Sequence, residues 1–407
     1  MRILWLKTEL LHPVDKGGKI RTFHMLKELK KDAHITYLTL DDSDAGSAEL
    51  ELAKEYCHEV ITVPHHAAAK FSAGFYKELA QNMVSPLPYG VAKYRNRVMR
   101  RNIASQLNAL SRSDVLVADF LFPAVNLPRG DWGAPSLLFQ HNVEAMILRR
   151  HAETQENLAK KTFLWSQYAK MWLTERQACR RFDHVVAVSK DDREKMARDY
   201  GVSSVSEVAT GVDVEFFKPS GNEVVNPHSV AFTGSMDWLP NEDAIQWFTS
   251  DILPRIRAKI PDFKLTVVGR NPYKSLLELA KREPSIEVTG RVPDVRPYIE
   301  RAAAYIVPIR IGGGTRLKIY EAMAMGRPLI STTIGAEGLP LEPGKDLLFA
   351  DEPQAFADAV VRVLQDPALA KQVGDTGAKT VRERFGWDRV SAQFLSSCER
   401  AIREHRS

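Results

Sequence analysis

Short apolar runs, bounded by turn or charged residues, recur from one end of this chain to the other. In the first half they cover residues 2–6, 34–40, 60–63, 115–118, 136–140 and 184–189; in the second, 230–233, 264–268, 286–288, 304–307, 329–332 and 347–350. Between most of them lie longer segments with helical spacing, such as Phe356, Ala359, Val360, Val363 and Leu364. Strands that are apolar throughout are buried on both faces, and strands alternating with helices build parallel sheets. Twelve strands overfill one doubly wound sheet, so two are expected. The seam is placed at Thr210-Gly211-Val212-Asp213 and the Pro219-Ser220-Gly221-Asn222 stretch that follows, where regular alternation gives way to turn residues. The expected division is an N-terminal domain over 1–213, a C-terminal domain over 214–385, and a last helix, 386–407, returning to the first domain. An open α/β architecture puts its ligands at the carboxyl ends of its strands.

Composition narrows the class. With 407 residues, 44% hydrophobic and 26% charged, the chain has ample material for packed cores, and its 23 Gly and 22 Pro exclude collagen-like and disordered readings. Cys57, Cys179 and Cys398 are odd in number and far apart, which suits neither a disulfide framework nor a zinc site and favours a reducing compartment. No run of about 18 uncharged apolar residues exists to span a bilayer. The opening Met1-Arg2-Ile3-Leu4-Trp5-Leu6-Lys7 reads as a first strand rather than a signal peptide, so a cytoplasmic protein is expected.

One segment is richest in chemistry. Residues 307–326 read Val-Pro-Ile-Arg-Ile-Gly-Gly-Gly-Thr-Arg-Leu-Lys-Ile-Tyr-Glu-Ala-Met-Ala-Met-Gly. A strand runs into the glycine turn Gly312-Gly313-Gly314, Thr315 suits an N-cap, residues 316–325 are good helix formers, and Gly326 suits the stop. Glycines let backbone approach a ligand, and a helix N-terminus favours phosphate. Arg316 and Lys318 put two cations where the helix dipole disfavours them, which an anionic ligand would explain. Glu321, one turn on, can accept hydrogen bonds from sugar or ribose hydroxyls. The Gly-x-Gly-x-x-Gly dinucleotide fingerprint opens neither half, which counts against a dehydrogenase.

The chain resembles the retaining GT-B glycosyltransferases, in the large group that contains glycogen synthases and lipid-directed mannosyltransferases. Besides residues 312–326, the resemblance rests on Lys16-Gly17-Gly18-Lys19-Ile20-Arg21, Gly211-Val212-Asp213 and Phe232-Thr233-Gly234-Ser235-Met236-Asp237-Trp238-Leu239-Pro240-Asn241. It continues in Val268-Gly269-Arg270, Gly290-Arg291-Val292 and Phe385-Gly386-Trp387. It implies two Rossmann-like domains facing across a cleft, with a nucleotide-sugar donor held mainly by the C-terminal domain and an acceptor by the N-terminal one. Glu321 matches the second carboxylate of the family's Glu-x7-Glu motif, usually on the ribose. Gly313, Gly314 and Thr315 would lie beside the sugar and diphosphate, Arg291 and Val292 beside the base, and Gly18 where the diphosphate meets the first loop.

The sequence departs from that pattern twice. Gly313 stands where the first carboxylate would be, and Ser235 and Asn241 stand where many members carry an Arg and a Lys that clamp the diphosphate. Arg316 and Lys318 are expected to supply the missing charge, with Arg270 a third candidate; Gly234 is counted among the donor-binding residues. Relatives act without a bound metal, so no cofactor is expected beyond the nucleotide-diphosphate sugar as co-substrate. Asp42-Ser43-Asp44 has the spacing of the metal-binding Asp-x-Asp of the other glycosyltransferase architecture, but its polar surroundings read as a solvated loop. His141, after the 136–140 run, matches a histidine that approaches donor sugar or acceptor in relatives; Asp119 is a weaker candidate that could instead cap a helix.

The implied function is retaining, metal-independent transfer of a sugar to a glycan or lipid-linked acceptor in bacterial polysaccharide or cell-surface assembly. A nucleotide-sugar 2-epimerase of the same architecture, or a catalytically silent nucleotide-sugar binder, are the alternatives. No acidic residue occurs between Glu78 and Asp114, an interval holding Lys93, Arg95, Arg97, Arg100, Arg101 and Arg112, with Phe71, Phe75, Tyr76, Tyr89 and Tyr94 in or near it. That mixture suits contact with an anionic membrane at its inner face or capture of a lipid diphosphate; a solvated basic helix face is the plain alternative. No nucleic-acid motif accompanies the charge.

Overall fold

The computed structural model describes residues 1–42, 46–311 and 316–406. Two compact units emerge: Met1–Ala209 together with Val390–Ser407, and Thr210–Arg389. The boundary thus falls four residues before the expected 213/214 position, and the first residues of the last helix, Trp387–Arg406, group with the second unit.

The first unit holds a sheet of β1 (Arg2–Lys7), β2 (His34–Asp41), β3 (Glu59–Pro64), β4 (Val115–Asp119), β5 (Ser136–Gln140), β6 (His184–Ala187) and β7 (Val205–Glu207), in the order β3-β2-β1-β4-β5-β6-β7. All pairs are parallel. The second holds β8 (Asn226–Thr233), β9 (Lys264–Val268), β10 (Ile286–Gly290), β11 (Ala302–Val307), β12 (Leu329–Ser331) and β13 (Leu348–Phe349), in the order β10-β9-β8-β11-β12-β13, again all parallel. Each of the twelve apolar runs has a strand. β7 alone was not legible, being three half-buried residues with no apolar run.

Burial explains why these segments are strands. In β1 every residue after Arg2 is buried, and Trp5 is wholly so, in contact with Phe139 of β5 and with Phe394 of the last helix at 5.4 Å between ring centroids. Phe394 thus ties that helix to the sheet; truncating such a ring to Ala costs about 3–5 kcal/mol. The second unit packs Phe232, Phe248, Phe263 and Phe356 in one continuous core.

Topology then places the sites. In each sheet the strand order reverses beside the first strand, between β1 and β4 and between β8 and β11. Chains leaving those strand ends diverge to opposite faces of the sheet, which opens a crevice at the carboxyl edge. The loops after β1 and β4 flank one such crevice; the loops after β8 and β11 flank the other.

Candidate active site

In the second unit the chain leaves β8 at Thr233 and turns at once. Gly234 N–H donates to Val268 O at 2.9 Å and Met236 N–H to Arg270 O at 2.9 Å, which carries β8–β9 pairing into the loop. The two backbones touch here: a Cβ on Gly269 would stand 1.7 Å from Gly234 O. A Cβ on Gly234 would in turn stand 2.6 Å from both Lys318 Nζ and Asn241 Nδ2. Gly269 has no room for a side chain against that backbone carbonyl, whereas one at Gly234 would have to displace the tips of Lys318 and Asn241.

Those polar groups converge from three elements. Lys318, on the Leu317–Ala324 helix, donates from Nζ to Asn241 Oδ1 at 2.9 Å, with the ammonium 4.1 Å from the centre of the Phe232 ring. Asn241 Nδ2 donates to Ser235 O at 2.8 Å. Arg270, just after β9, donates from Nε to Ser235 Oγ at 2.8 Å, and Ser235 Oγ donates to Asp237, which Asn271 also holds. Arg316, only 4% exposed, stacks its guanidinium 5.0 Å from the centre of the Trp238 ring. Arg316 occupies the capping position of that helix, one residue before its first turn.

Thus the two positions lacking the expected cations each receive one from elsewhere: Ser235 from Arg270, Asn241 from Lys318. Burial, and next the neighbouring Arg316, hold the Lys318 ammonium down at about 7, while Glu321 partly opposes the shift. Burial likewise pushes the Glu321 carboxyl up to about 7 despite Lys318. The Arg316 guanidinium is lowered by burial. A site that makes its own cations reluctant to charge is one that an arriving anion stabilises, since the anion supplies the opposite charge that burial removed from water. Tyr305, at the centre of β11, holds the end of β8 through its hydroxyl, bonded to Thr233 N and Oγ1.

Of the other expected donor-binding residues, Arg291 lies exposed after β10, two strands from β8, with Val292 half-buried beside it. Gly312, Gly313, Gly314 and Thr315 fall outside the described residues, as do Ser43 and Asp44; Asp42 is exposed after β2. Among the described residues no three His, Cys, Asp or Glu side chains cluster as metal ligands.

The first unit builds a different site at its own crevice. Asp119, at the end of β4 and wholly buried, accepts from Trp5 Nε1 at 3.0 Å and Thr22 Oγ1 at 2.6 Å and pairs with Lys7 Nζ at 2.8 Å. Asp119 is therefore the hub of a buried network rather than a helix cap. His141, at the end of β5, sits with Nε2 2.8 Å from Asp119 Oδ1, off the line of a straight hydrogen bond. Its ring stacks on Phe120 at 3.9 Å. Phe120 holds φ at 70°, a left-handed backbone uncommon for a bulky residue. Burial tends to raise the Asp119 carboxyl, but Lys7 and His141 more than reverse that, so it stays ionised. Burial drives the His141 imidazole down to about 3, leaving it neutral, with Asp119 opposing. Gly18, in the first turn of the Gly17–Leu29 helix, faces the Phe120 ring, where an added Cβ would find ordinary contact at 3.5 Å. The protein's own packing does not demand glycine there.

Just beyond, Glu175 accepts from the N–H groups of Glu144 and Ala145 at 2.9 and 3.1 Å, capping the Glu144–Thr154 helix, and from Tyr200 OH at 2.7 Å. Burial raises Glu175 to about 6, and burial together with Glu175 raises Glu144 to about 7. This cap fixes the segment that follows His141.

Sequence reasoning gave no role to Lys7, or to Trp238 within the Phe232–Asn241 stretch, because the partner of each, Asp119 for one and Arg316 for the other, lies far away in the chain.

Comparison with known proteins gives two family matches. Residues 17–216 match the model described as Glycosyltransferase Family 4, and residues 227–366 the model described as Glycosyl transferases group 1. An uncharacterized 44.6 kDa protein in the cps region of Klebsiella pneumoniae is 20% identical over 97% of this chain and 99% of its own. D-inositol 3-phosphate glycosyltransferase of Streptomyces bingchenggensis is 27% identical over 55% of this chain and 54% of its own. Phosphatidyl-myo-inositol mannosyltransferase of Mycobacterium tuberculosis is 27% identical over 52% and 57%. The chain thus spans just over half the length of these two relatives. Among solved structures, HepE of Anabaena in complex with UDP superposes with a TM-score of 0.67 at 14% identity, covering 98% of this chain and 100% of that one. Sucrose-phosphate synthase of Thermosynechococcus elongatus gives 0.66 at 16% identity, covering 97% and 98%. The fold is that of the GT-B enzymes.

Proposed function

Because this chain belongs to the glycosyl transferases of group 1, we propose that it moves a sugar from a nucleotide-diphosphate sugar to a glycan or lipid-linked acceptor, with retention at the anomeric carbon. The observation that carries this reading is the pair of re-sited cations. Arg270 and Lys318 reach the Ser235 and Asn241 positions by hydrogen bonds of 2.8 and 2.9 Å, with Arg316 close enough to depress Lys318. Three cations gathered on one strand-end loop fit a departing diphosphate, whose charge grows as the glycosidic bond breaks. Fixed donors aimed at that charge supply the largest share of catalysis in such reactions.

In this reading the second unit holds the donor and the first the acceptor. Glu321 serves the ribose, Gly313, Gly314 and Thr315 the sugar-diphosphate, and Arg291 with Val292 the base. His141, neutral and held between Asp119 and Phe120, meets a sugar or acceptor hydroxyl near Gly18. The leaving phosphate takes the acceptor proton, so the chain supplies no nucleophile and needs no metal. Assembly of a bacterial surface polysaccharide is the favoured setting, supported by the relative from a cps region. Uridine donors head the list to try, because UDP accompanies HepE in its solved complex.

The test is nucleotide release from a panel of UDP-, GDP- and ADP-sugars, with and without acceptor extracts, in excess chelator. Acceptor-dependent release with the anomeric configuration kept supports the reading. Release without acceptor together with an altered sugar would make the chain an epimerase; tight nucleotide binding with no turnover would make it a silent binder. Either result overturns the transferase reading.

A further inference from the structure

A row of aromatic rings crosses the carboxyl edge of the first sheet. His141 follows β5, Phe120 and Phe122 follow β4, Tyr94 follows the Tyr89–Ala92 helix, and His65 follows β3. Each ring touches the next. Centroids lie 3.9 Å apart from His141 to Phe120, 5.8 Å from Phe120 to Phe122, 5.6 Å from Phe122 to Tyr94 and 6.2 Å from Tyr94 to His65. His141 is buried, and the other four are half-buried.

Rings elsewhere in this unit pack differently. Trp5 meets Phe139 at 77°, Tyr37 meets Tyr56 at 76° and Trp132 meets Phe182 at 60°, edge toward face. Along the row the tilts are 29°, 24°, 43° and 34°. At centroid spacings of 5.6 to 6.2 Å, rings so tilted overlap only in part, like steps, and half-burial leaves some of each ring uncovered.

The backbone beneath them is fixed. His65 N–H donates to Asp41 O and Phe120 N–H to Phe139 O, both at 2.8 Å, which carries sheet pairing past the strand ends. Asn126, wholly buried, donates from Nδ2 to Tyr94 O at 2.8 Å and accepts from Asn96 N–H at 2.8 Å, while Asn96 Nδ2 donates to Pro64 O at 3.1 Å. Three separate loops are thereby tied together. Phe120 also holds its left-handed φ of 70°, a cost that recurs where a side chain must be aimed. Tied loops, partly open rings and a strained residue among them make a preformed binding surface.

The chemistry of that surface suits sugars. A pyranose presents a patch of C–H groups on its face, which packs against the electron-rich face of an aromatic ring, and hydroxyls around its rim, which take hydrogen bonds. Donors for such a rim flank the row: Lys93 Nζ lies 4.6 Å from the centre of the Tyr94 ring, and Arg95 is exposed beside it. A hydrocarbon chain laid there would have to strip water from those cations for nothing in return. Because the rings follow one another away from His141, the occupant is longer than a single sugar.

We propose that Phe120, Phe122, Tyr94 and His65 form an extended acceptor subsite for an oligosaccharide, one end of which lies at His141. The proposal rests on the transferase reading and names its acceptor class: a glycan already several sugars long, held through its sugars whether or not a lipid carries it.

The experiment is titration of the full chain, by calorimetry and saturation-transfer NMR, with malto-, cello- and manno-oligosaccharides of increasing length and with a short polyprenol. In at least one series affinity should rise by about tenfold or more from the single sugar to the tetrasaccharide, as further rings are engaged. Phe122→Leu and Tyr94→Leu keep apolar bulk and remove a ring. Each should weaken tetrasaccharide binding by roughly 2- to 12-fold, and together they should flatten the dependence on length. Phe122→Tyr, which keeps the ring, should preserve it; thermal melting checks that all variants fold. No gain with length in any series, a gain that survives the loss of both rings, or a polyprenol bound in preference to every glycan overturns the proposal. Titration with UDP and GDP keeps the two readings apart. A chain that turns over a donor yet ignores glycan length loses this proposal alone. One that prefers longer glycans but binds no nucleoside diphosphate keeps the glycan site and loses the transferase reading.

Discussion

Replacing Lys318 by Met removes the ammonium and keeps the length of the stem beside Phe232. The ammonium is 2.9 Å from Asn241 Oδ1 and 2.6 Å from where a Cβ on Gly234 would stand. A donor fixed against charge that develops in the transition state is worth about 10²–10³ in turnover, or roughly 2.7–4 kcal/mol. A hydrogen bond to a charged group contributes about 1.5–3 kcal/mol to binding, so affinity for a nucleoside diphosphate should fall by roughly 10- to 150-fold. The fold should survive. Removing a charge that burial already disfavours is close to neutral, and Asn241 Oδ1, left without its donor, costs about 1–3 kcal/mol. At about 2–4 °C per kcal/mol, the melting temperature should fall by no more than roughly 12 °C. Nucleotide release, calorimetric titration with UDP and GDP, and thermal melting together read all three quantities. Wild-type turnover and affinity in a folded Lys318→Met protein would refute the clamp. A fall in activity that merely follows unfolding would refute it too.

Three further predictions follow from the same geometry. Gly234→Ala should push Lys318 Nζ and Asn241 Nδ2 off their places, 2.6 Å from the new Cβ, and lower turnover by about tenfold or more without unfolding the unit; nucleotide release and melting check it. Nucleoside diphosphate affinity should weaken as pH rises above about 7. There Lys318, lowered to about 7, loses its charge while Glu321, raised to about 7, gains a negative one, and both changes oppose an anion. Titrations in buffers of different ionisation enthalpy should show protons taken up on binding at pH above 7, and Lys318→Met should remove the Lys318 share of that uptake. Asp119→Asn should destabilise the first unit by about 3–5 kcal/mol, because it strands the buried Lys7, and Lys7→Met in the same chain should restore much of the loss; thermal melting decides.

The sheets were legible because parallel strands buried on both faces must be apolar throughout, and that shows in any short window. β7 was not, since residues 205–207 pair at a sheet edge where half-burial asks little of the side chains. Arg316 and Lys318 were legible as cations oddly placed at the start of a helix, and Glu321 as a carboxylate one turn on. What they touch was not. That Lys318 meets Asn241, that Arg270 meets Ser235, and that Arg316 lies under Trp238 depends on β8, β9 and β11 lying side by side, which no local spacing encodes. Asp119 shows the same limit from the other side. A buried Asp at a strand end looks like a cap until Lys7, Thr22 and Trp5 are brought to it from another part of the chain. Arg291 was named only through the family resemblance, as a neighbour of the base, and it stands exposed after β10.

The most direct measurement is a crystal structure of the full chain with a nucleoside diphosphate bound. The diphosphate oxygens should lie about 3 Å from Lys318 Nζ, at the carboxyl ends of β8 and β11, with Arg270 and Arg316 turned toward them. A diphosphate bound anywhere else, with Lys318 still engaged only by Asn241, would contradict the account.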